Sequence, residues 1–170
     1  MNVVLFGFMG VGKTTVGRLL APRLGYRFVD SDAETEQALG MRISDAFARL
    51  GEPAFRDVER GVVRRLSGGD GQVISLGGGT ALDRGNVEAL RGSGRMVLLT
   101  ASPEEIGLRT RGDASRPLLA GADKLTNIRA LLEERRERYI AAADMVVDTN
   151  GVPPIRVADA ILNRLEVAAG

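Results

Sequence analysis

The stretch Val3-Val4-Leu5-Phe6-Gly7-Phe8-Met9-Gly10-Val11-Gly12-Lys13-Thr14 decides the fold. Four consecutive apolar residues run into a glycine-rich turn, and Val16, Leu19 and Leu20 then recur on one side of a helix. From Gly7 the turn reads G-x-x-x-x-G-K-[ST], in the strand–turn–helix context that this motif requires. Its glycines let backbone N–H groups turn inward around a polyphosphate, and the helix N-terminus adds partial positive charge. Lys13 would set an ammonium against the terminal phosphates, and the Thr14 hydroxyl would ligate Mg²⁺. Gly10, Val11, Gly12, Lys13, Thr14 and Thr15 are therefore expected to bind nucleotide. The alternative is a strand–helix turn with no ligand. It leaves one choice unexplained: of 23 basic residues only Lys13 and Lys124 are lysines, all others being arginine.

Outward from this segment, short apolar runs alternate with amphipathic ones, the pattern of an α/β fold with a parallel sheet. Strands are expected at 2–7, 27–30, 72–76, 96–101 and 145–148. Helices are expected at 13–24, 32–39, 43–50, 53–66, 83–90, 103–109, 125–142 and 154–165. In the fourth helix Phe55, Val58, Val62, Val63 and Leu66 form one apolar stripe. Ser31 and Glu34 read as a capping box. The segment 110–124 fits no element and is either a surface loop or a mobile lid.

With 170 residues, 44% of them hydrophobic, the chain has the size and composition of one globular domain. Absent cysteine and histidine exclude a disulfide, a zinc finger, a thiol nucleophile and an imidazole base. Proton transfer would fall to carboxylates, Lys, Tyr or water. A net charge of +1 gives no broad field for nucleic acid. No apolar run approaches a bilayer span, and the first residues lack the basic region of a secretory signal. A cytoplasmic monomer, without nucleic-acid or membrane partners, is the expectation. The chain has no N-K-x-D guanine signature and no strand ending in Asp-Glu, and it is short for a helicase or transporter module. A small-molecule or nucleotide kinase remains.

The acceptor side starts at Asp30-Ser31-Asp32, where the second strand meets its helix at the carboxyl edge of the sheet. One carboxylate could hold Mg²⁺ through water and the other accept a hydrogen bond from an attacking hydroxyl; alternatively, Asp32 only complements the helix dipole. Arg56 borders the apolar stripe and is either a ligand grip or half of a surface ion pair with Glu59. Gly77-Gly78-Gly79, after the third strand, would let a ligand touch backbone amides or make a wide turn. Arg116-Pro117-Leu118-Leu119 lies within the candidate lid.

Taken together, G-F-M-G-V-G-K-T (7–14), D-S-D (30–32), F-R-D-V-E (55–59), S-L-G-G-G (75–79), R-P-L-L (116–119) and V-D-T-N (147–150) resemble the shikimate kinase family over nearly the whole chain. The resemblance implies a three-layer P-loop fold like that of nucleoside monophosphate kinases. Its five-stranded parallel sheet would be flanked by helices, with a mobile lid at about 110–124 and a substrate-binding region at about 32–60. The implied activity is transfer of the γ-phosphoryl of ATP to the 3-hydroxyl of shikimate, with Mg²⁺. By the same resemblance Lys13, Asp32 and Arg116 would be catalytic, and Thr14 and Asp30 would serve the metal. Arg109, Arg116 and Pro154 would contact the nucleotide, while Asp32, Arg56, Gly77, Gly78, Gly79 and Arg135 would bind the acid. Where the family commonly reads R-x-P-L-Y, this chain reads Arg135-Arg136-Glu137-Arg138-Tyr139. Counting back from Tyr139 selects Arg135, with Arg136 or Arg138 taking its place if the helix register differs. The rival readings are a gluconate or nucleotide kinase and a catalytically silent nucleotide-binding relative.

Overall fold

A computed structural model describes residues 1–112 and 123–169. Five strands, β1 (Asn2–Phe6), β2 (Arg27–Asp30), β3 (Gln72–Ser75), β4 (Gly94–Thr100) and β5 (Met145–Asp148), form one sheet in the order β2-β3-β1-β4-β5. All four pairings are parallel. The described helices are α1 (Lys13–Leu24), α2 (Ser31–Leu39), α3 (Ile43–Leu50), α4 (Glu52–Ser67), α5 (Arg84–Arg91), α6 (Pro103–Arg109), α7 (Lys124–Ala142) and α8 (Pro154–Ala169). The expected α/β class, sheet and helices are all present.

Every residue of β1 is buried, which is why Val3–Phe6 is continuously apolar rather than alternating, and the buried Asn2 before them is satisfied by donating to the Gly69 carbonyl at 2.9 Å. Helices α1 and α8 pack on each other and against β1, β3 and β5, while α5 and α7 pack against β4. Val3, Leu5, Val16, Leu20, Val73, Val97, Leu99, Ile128 and Ile161 belong to one buried cluster that joins these layers.

Boundaries shift where the apolar pattern is silent. β4 starts at Gly94, not Met96, because Gly94 and Arg95 pair with Asn2 and Val3 although neither carries a hydrophobic signal. A short 3₁₀ turn at Thr80–Leu82, unmarked in the sequence, follows the glycine loop, and α8 runs on past Leu165. The Ser31–Glu34 capping box does not form. Asp30 caps α2, its Oδ1 accepting from the Asp32 and Ala33 amides at 2.9 and 3.3 Å.

At the end of β1 the chain must turn sharply beside β4. Gly7 adopts φ 139°, and a Cβ there would collide with the Leu99 carbonyl oxygen. Gly7→Ala is therefore expected to lower folding stability by at least about 2 kcal/mol. An unchanged denaturation midpoint would contradict this account of the turn.

Candidate active site

The phosphate cradle is built by the turn between β1 and α1. Gly12 caps α1 in the left-handed region without a side-chain hydrogen bond, and no acidic residue occupies the first turn. The free N–H groups and dipole of that helix end therefore face the loop without a built-in anion. Lys13 extends over the loop, donating to the Gly7 and Phe8 carbonyls at 2.9 Å each. Thr14 and Thr15 are exposed at the helix start.

Beside the cradle lies a cleft of about 420 Å³, lined by Val11, Gly12, Thr15, Arg109, Pro153 and Pro154 among others. Arg109 is fixed at its rim. It donates to the Thr149 carbonyl at 2.9 Å, the Thr149 hydroxyl at 3.0 Å, the Gly10 carbonyl at 3.3 Å and Glu105 at 2.9 Å. The buried Thr149 hydroxyl donates onward to the Thr100 carbonyl at 2.9 Å. Thr149 and Glu105 thus hold an expected nucleotide residue in place, a job that the strand pattern around Val147 does not announce.

A second pocket of about 140 Å³ is lined by Asp32, Ile43, Phe47, Phe55, Arg56, Glu59 and Gly77, Gly78 and Gly79. Helices α2, α3 and α4 form one side and the glycine loop after β3 the other. The α4 stripe differs from the expected one: Glu59 is 3% exposed, whereas Val58 is only half-buried. Glu59 takes this position because two donors meet it. Arg56 Nη1 reaches both its oxygens at 2.9 and 3.1 Å, and the Thr80 hydroxyl donates at 2.8 Å. A buried carboxylate needs such partners. The Arg56 guanidinium also lies over the Phe55 ring at 5.1 Å. So the Arg56–Glu59 pair is real, but it is an anchored one at the pocket wall.

The glycine loop is held on several sides. Its Gly77 amide donates to the buried Ser31 hydroxyl at 3.1 Å, which explains why Ser31 does not cap its own helix. Tyr139 Oη donates to the Gly78 carbonyl at 2.6 Å. Side chains are excluded here: a Cβ on Gly77 would collide with Asp32, and one on Gly79 would lie 2.6 Å from Arg56 Nη2. Asp32 and Arg56 thus close on the loop from one side.

Arg135 closes on it from α7. Its Nη1 would lie 3.6 Å from a Cβ on Gly78, and its guanidinium sits 5.5 Å over the Phe8 ring. That Nη1 is buried and has no hydrogen-bond partner among the described residues. Arg136 and Arg138 are exposed, so of the three arginines Arg135 alone faces the glycine loop. Burial raises the Tyr139 pKa, while the neighbouring Arg135 charge pulls it back. Arg116, and residues 113–122 of the expected lid, lie outside the described residues.

Burial, and next the neighbouring Asp30 carboxylate, push the Asp32 pKa up to about 6 against the pull of Lys13. Asp32 is therefore more than a helix-dipole partner: it is a strained carboxylate within the field of the cradle lysine. Among the described residues no three of Asp, Glu, His and Cys converge on a stand-alone metal cluster. The hydroxyl of Thr14 and the carboxylate of Asp30 are nonetheless oxygen groups of the kind that Mg²⁺ accepts, and a polyphosphate would supply most of the ligands itself. No described helix is long and apolar enough to cross a membrane.

A glycine-rich phosphate cradle at the edge of a parallel β2-β3-β1-β4-β5 sheet defines a P-loop phosphotransferase. The shikimate kinase family model matches residues 9–166. A shikimate kinase from Symbiobacterium thermophilum is 49% identical over 152 residues, 88% of this chain and 87% of the relative. One from Cupriavidus pinatubonensis is 42% identical over 167 residues, 98% of this chain and 87% of the relative. Among solved structures, shikimate kinase from Acinetobacter baumannii in complex with shikimate superposes with a TM-score of 0.93 at 36% identity, covering 98% of this chain and 93% of that one. The chain belongs to the shikimate kinase family.

The Asp32 environment yields a pH test. The folded chain holds this proton more tightly than the unfolded chain does. The group therefore favours folding most in acid, and that contribution is lost as pH rises through about 6. Asp32→Asn should raise the melting midpoint at neutral pH, with the gain fading as pH falls through about 6. A lowered midpoint at neutral pH would contradict the assignment.

Proposed function

We propose that this shikimate kinase transfers the γ-phosphoryl of ATP to the 3-hydroxyl of shikimate, releasing ADP, with the two pockets above as its nucleotide and acid sites. The observation that carries the site assignment is the pair of arginines on adjacent glycines. Arg56 abuts Gly79 and Arg135 abuts Gly78, the Arg135 Nη1 being buried without a hydrogen-bond partner among the described residues. A carboxylate is the acceptor whose shape suits two guanidinium forks. Shikimate carries such a carboxylate on a ring bearing hydroxyls.

In the proposed reaction the 3-hydroxyl oxygen bonds to the γ-phosphorus as the β,γ-bridging bond breaks, and ADP leaves. Asp32 orients the hydroxyl and accepts its proton. Gly10, Val11, Gly12, Thr14 and Thr15 hold the polyphosphate, Arg109 and Pro154 flank the base, and Lys13 stabilises charge on the transferred group. Thr14 and Asp30 would hold Mg²⁺, which when bound offsets phosphate charge. Arg116 is proposed to add a further cation from the lid at 110–124. The protein's contribution is mainly alignment and electrostatics, and no covalent intermediate is required. ATP and shikimate are the proposed partners of a cytoplasmic monomer.

The direct test is ADP release from MgATP with shikimate, with gluconate and with no acceptor. Shikimate alone should support turnover, and turnover with gluconate alone would overturn the reading. Lys13→Ala should lower kcat on the order of a hundredfold or more. Arg56→Ala should mainly raise KM for shikimate, roughly ten- to a hundredfold. An unchanged KM would return Arg56 to a purely structural ion pair.

A further inference from the structure

Among the described residues Arg135 has no acidic partner to aim it. The carboxylates that flank it on α7, Glu133, Glu134 and Glu137, are all exposed, and Glu134 pairs with Arg138 at 3.8 Å. Arg56, by contrast, is steered by the buried Glu59. Something else must restrict the Arg135 side chain, because a long flexible cation left to itself gives up considerable rotamer freedom on binding.

Two aromatic groups take that place. Phe8, 1% exposed, lies beneath the guanidinium with 5.5 Å between the charge and the ring centroid. Tyr139, one helical turn after Arg135, stands beside it on the same face of α7. The Tyr139 ring is itself fixed, 4% exposed and packed edge-on against Phe6 at 6.0 Å. Its hydroxyl lies within the influence of the Arg135 guanidinium and donates to the Gly78 carbonyl at 2.6 Å. The Arg135 Nη1 comes close to that same glycine.

We propose that Tyr139 is a positioning residue for acid recognition: its bond to the Gly78 carbonyl sets the spacing between the glycine floor and Arg135, so that both meet one carboxylate. The bond joins α7 to the loop after β3, two segments 61 residues apart that the sheet alone does not hold in register. Without it the Gly78 carbonyl loses its donor, and both the loop and the arginine gain freedom that the ligand must then remove. Tyr139 touches neither ATP nor the transferred phosphoryl in this scheme, so its effect belongs in substrate affinity. The proposal rests on the assignment of the acid site given above.

The test is a double-mutant cycle with Tyr139→Phe and Arg135→Ala, reading KM for shikimate, kcat and KM for ATP. Tyr139→Phe keeps the ring against Phe6 and should leave the fold intact, which a melting curve checks. In the otherwise unchanged chain it should raise KM for shikimate on the order of tenfold, with a much smaller effect on kcat and on KM for ATP. In the Arg135→Ala background the same change should add little, because a residue acting through Arg135 has nothing left to position. An unchanged KM, or an equal increase in both backgrounds, would overturn the proposal. Failure of the parent chain to use shikimate would instead overturn the functional reading, and the positioning role with it.

Discussion

The pairing of β1 with β3 is the constraint on which the site depends. Val3, Val4 and Leu5 lie opposite Val73, Ile74 and Ser75, and the Leu76 amide continues the ladder to the Leu5 carbonyl at 2.9 Å. Because the strands are parallel, the turns that leave them emerge on the same edge. One turn is the phosphate cradle and the other the glycine loop. β2 pairs with β3 so that Asp30 stands opposite Ser75, which brings Asp32 to the same edge. The pockets proposed for donor and acceptor are thus neighbours by strand order. That arrangement suits phosphoryl transfer, which needs reacting atoms within roughly 3–3.5 Å.

Along that edge the fold tolerates polar groups that an ordinary core would expel. Glu59 stays buried because Arg56 and Thr80 supply its hydrogen bonds, and the arrangement turns a flexible arginine into a fixed wall of the pocket proposed for the acid. Asp32 is raised to about 6 by burial and by Asp30, and Lys13 draws it partly back. Arg135 Nη1 is buried without a hydrogen-bond partner among the described residues. A carboxylate with a raised pKa and a buried cationic N–H without a partner among the described residues are both unfavourable in isolation, and in the proposed complex a hydroxyl and a carboxylate of the ligand would relieve them. The buried apolar cluster that spans the sheet sustains this local strain.

Local signals were legible in the sequence; long-range ones were not. The strand–glycine–helix segment at 2–24 can be read directly because its chemistry lies within one continuous stretch. D-S-D at 30–32 marks the right edge for the same reason, but the role of its middle residue cannot be read there. The S-x-x-E spacing favours a cap, whereas the Ser31 hydroxyl is satisfied by an amide 46 residues away and Asp30 caps instead. Hydrophobic periodicity assigns Val58 to the buried stripe of α4, since no rule of apolar spacing selects a glutamate whose partners come from another loop. In Arg135-Arg136-Glu137-Arg138 composition cannot choose between the arginines, and the family spacing that selects Arg135 by counting back from Tyr139 holds only for one helix register. The choice depends on how α7 is rotated against the glycine loop, which Tyr139 and Gly78 reveal only when brought together.

The most direct measurement of this account is a crystal structure of the chain with shikimate and ADP bound. The account predicts the carboxylate between the Arg56 and Arg135 guanidiniums, above Gly78 and Gly79, with a ring hydroxyl against Asp32 and facing the cradle. A carboxylate bound away from both arginines, or a ring turned so that no hydroxyl meets Asp32, would contradict it.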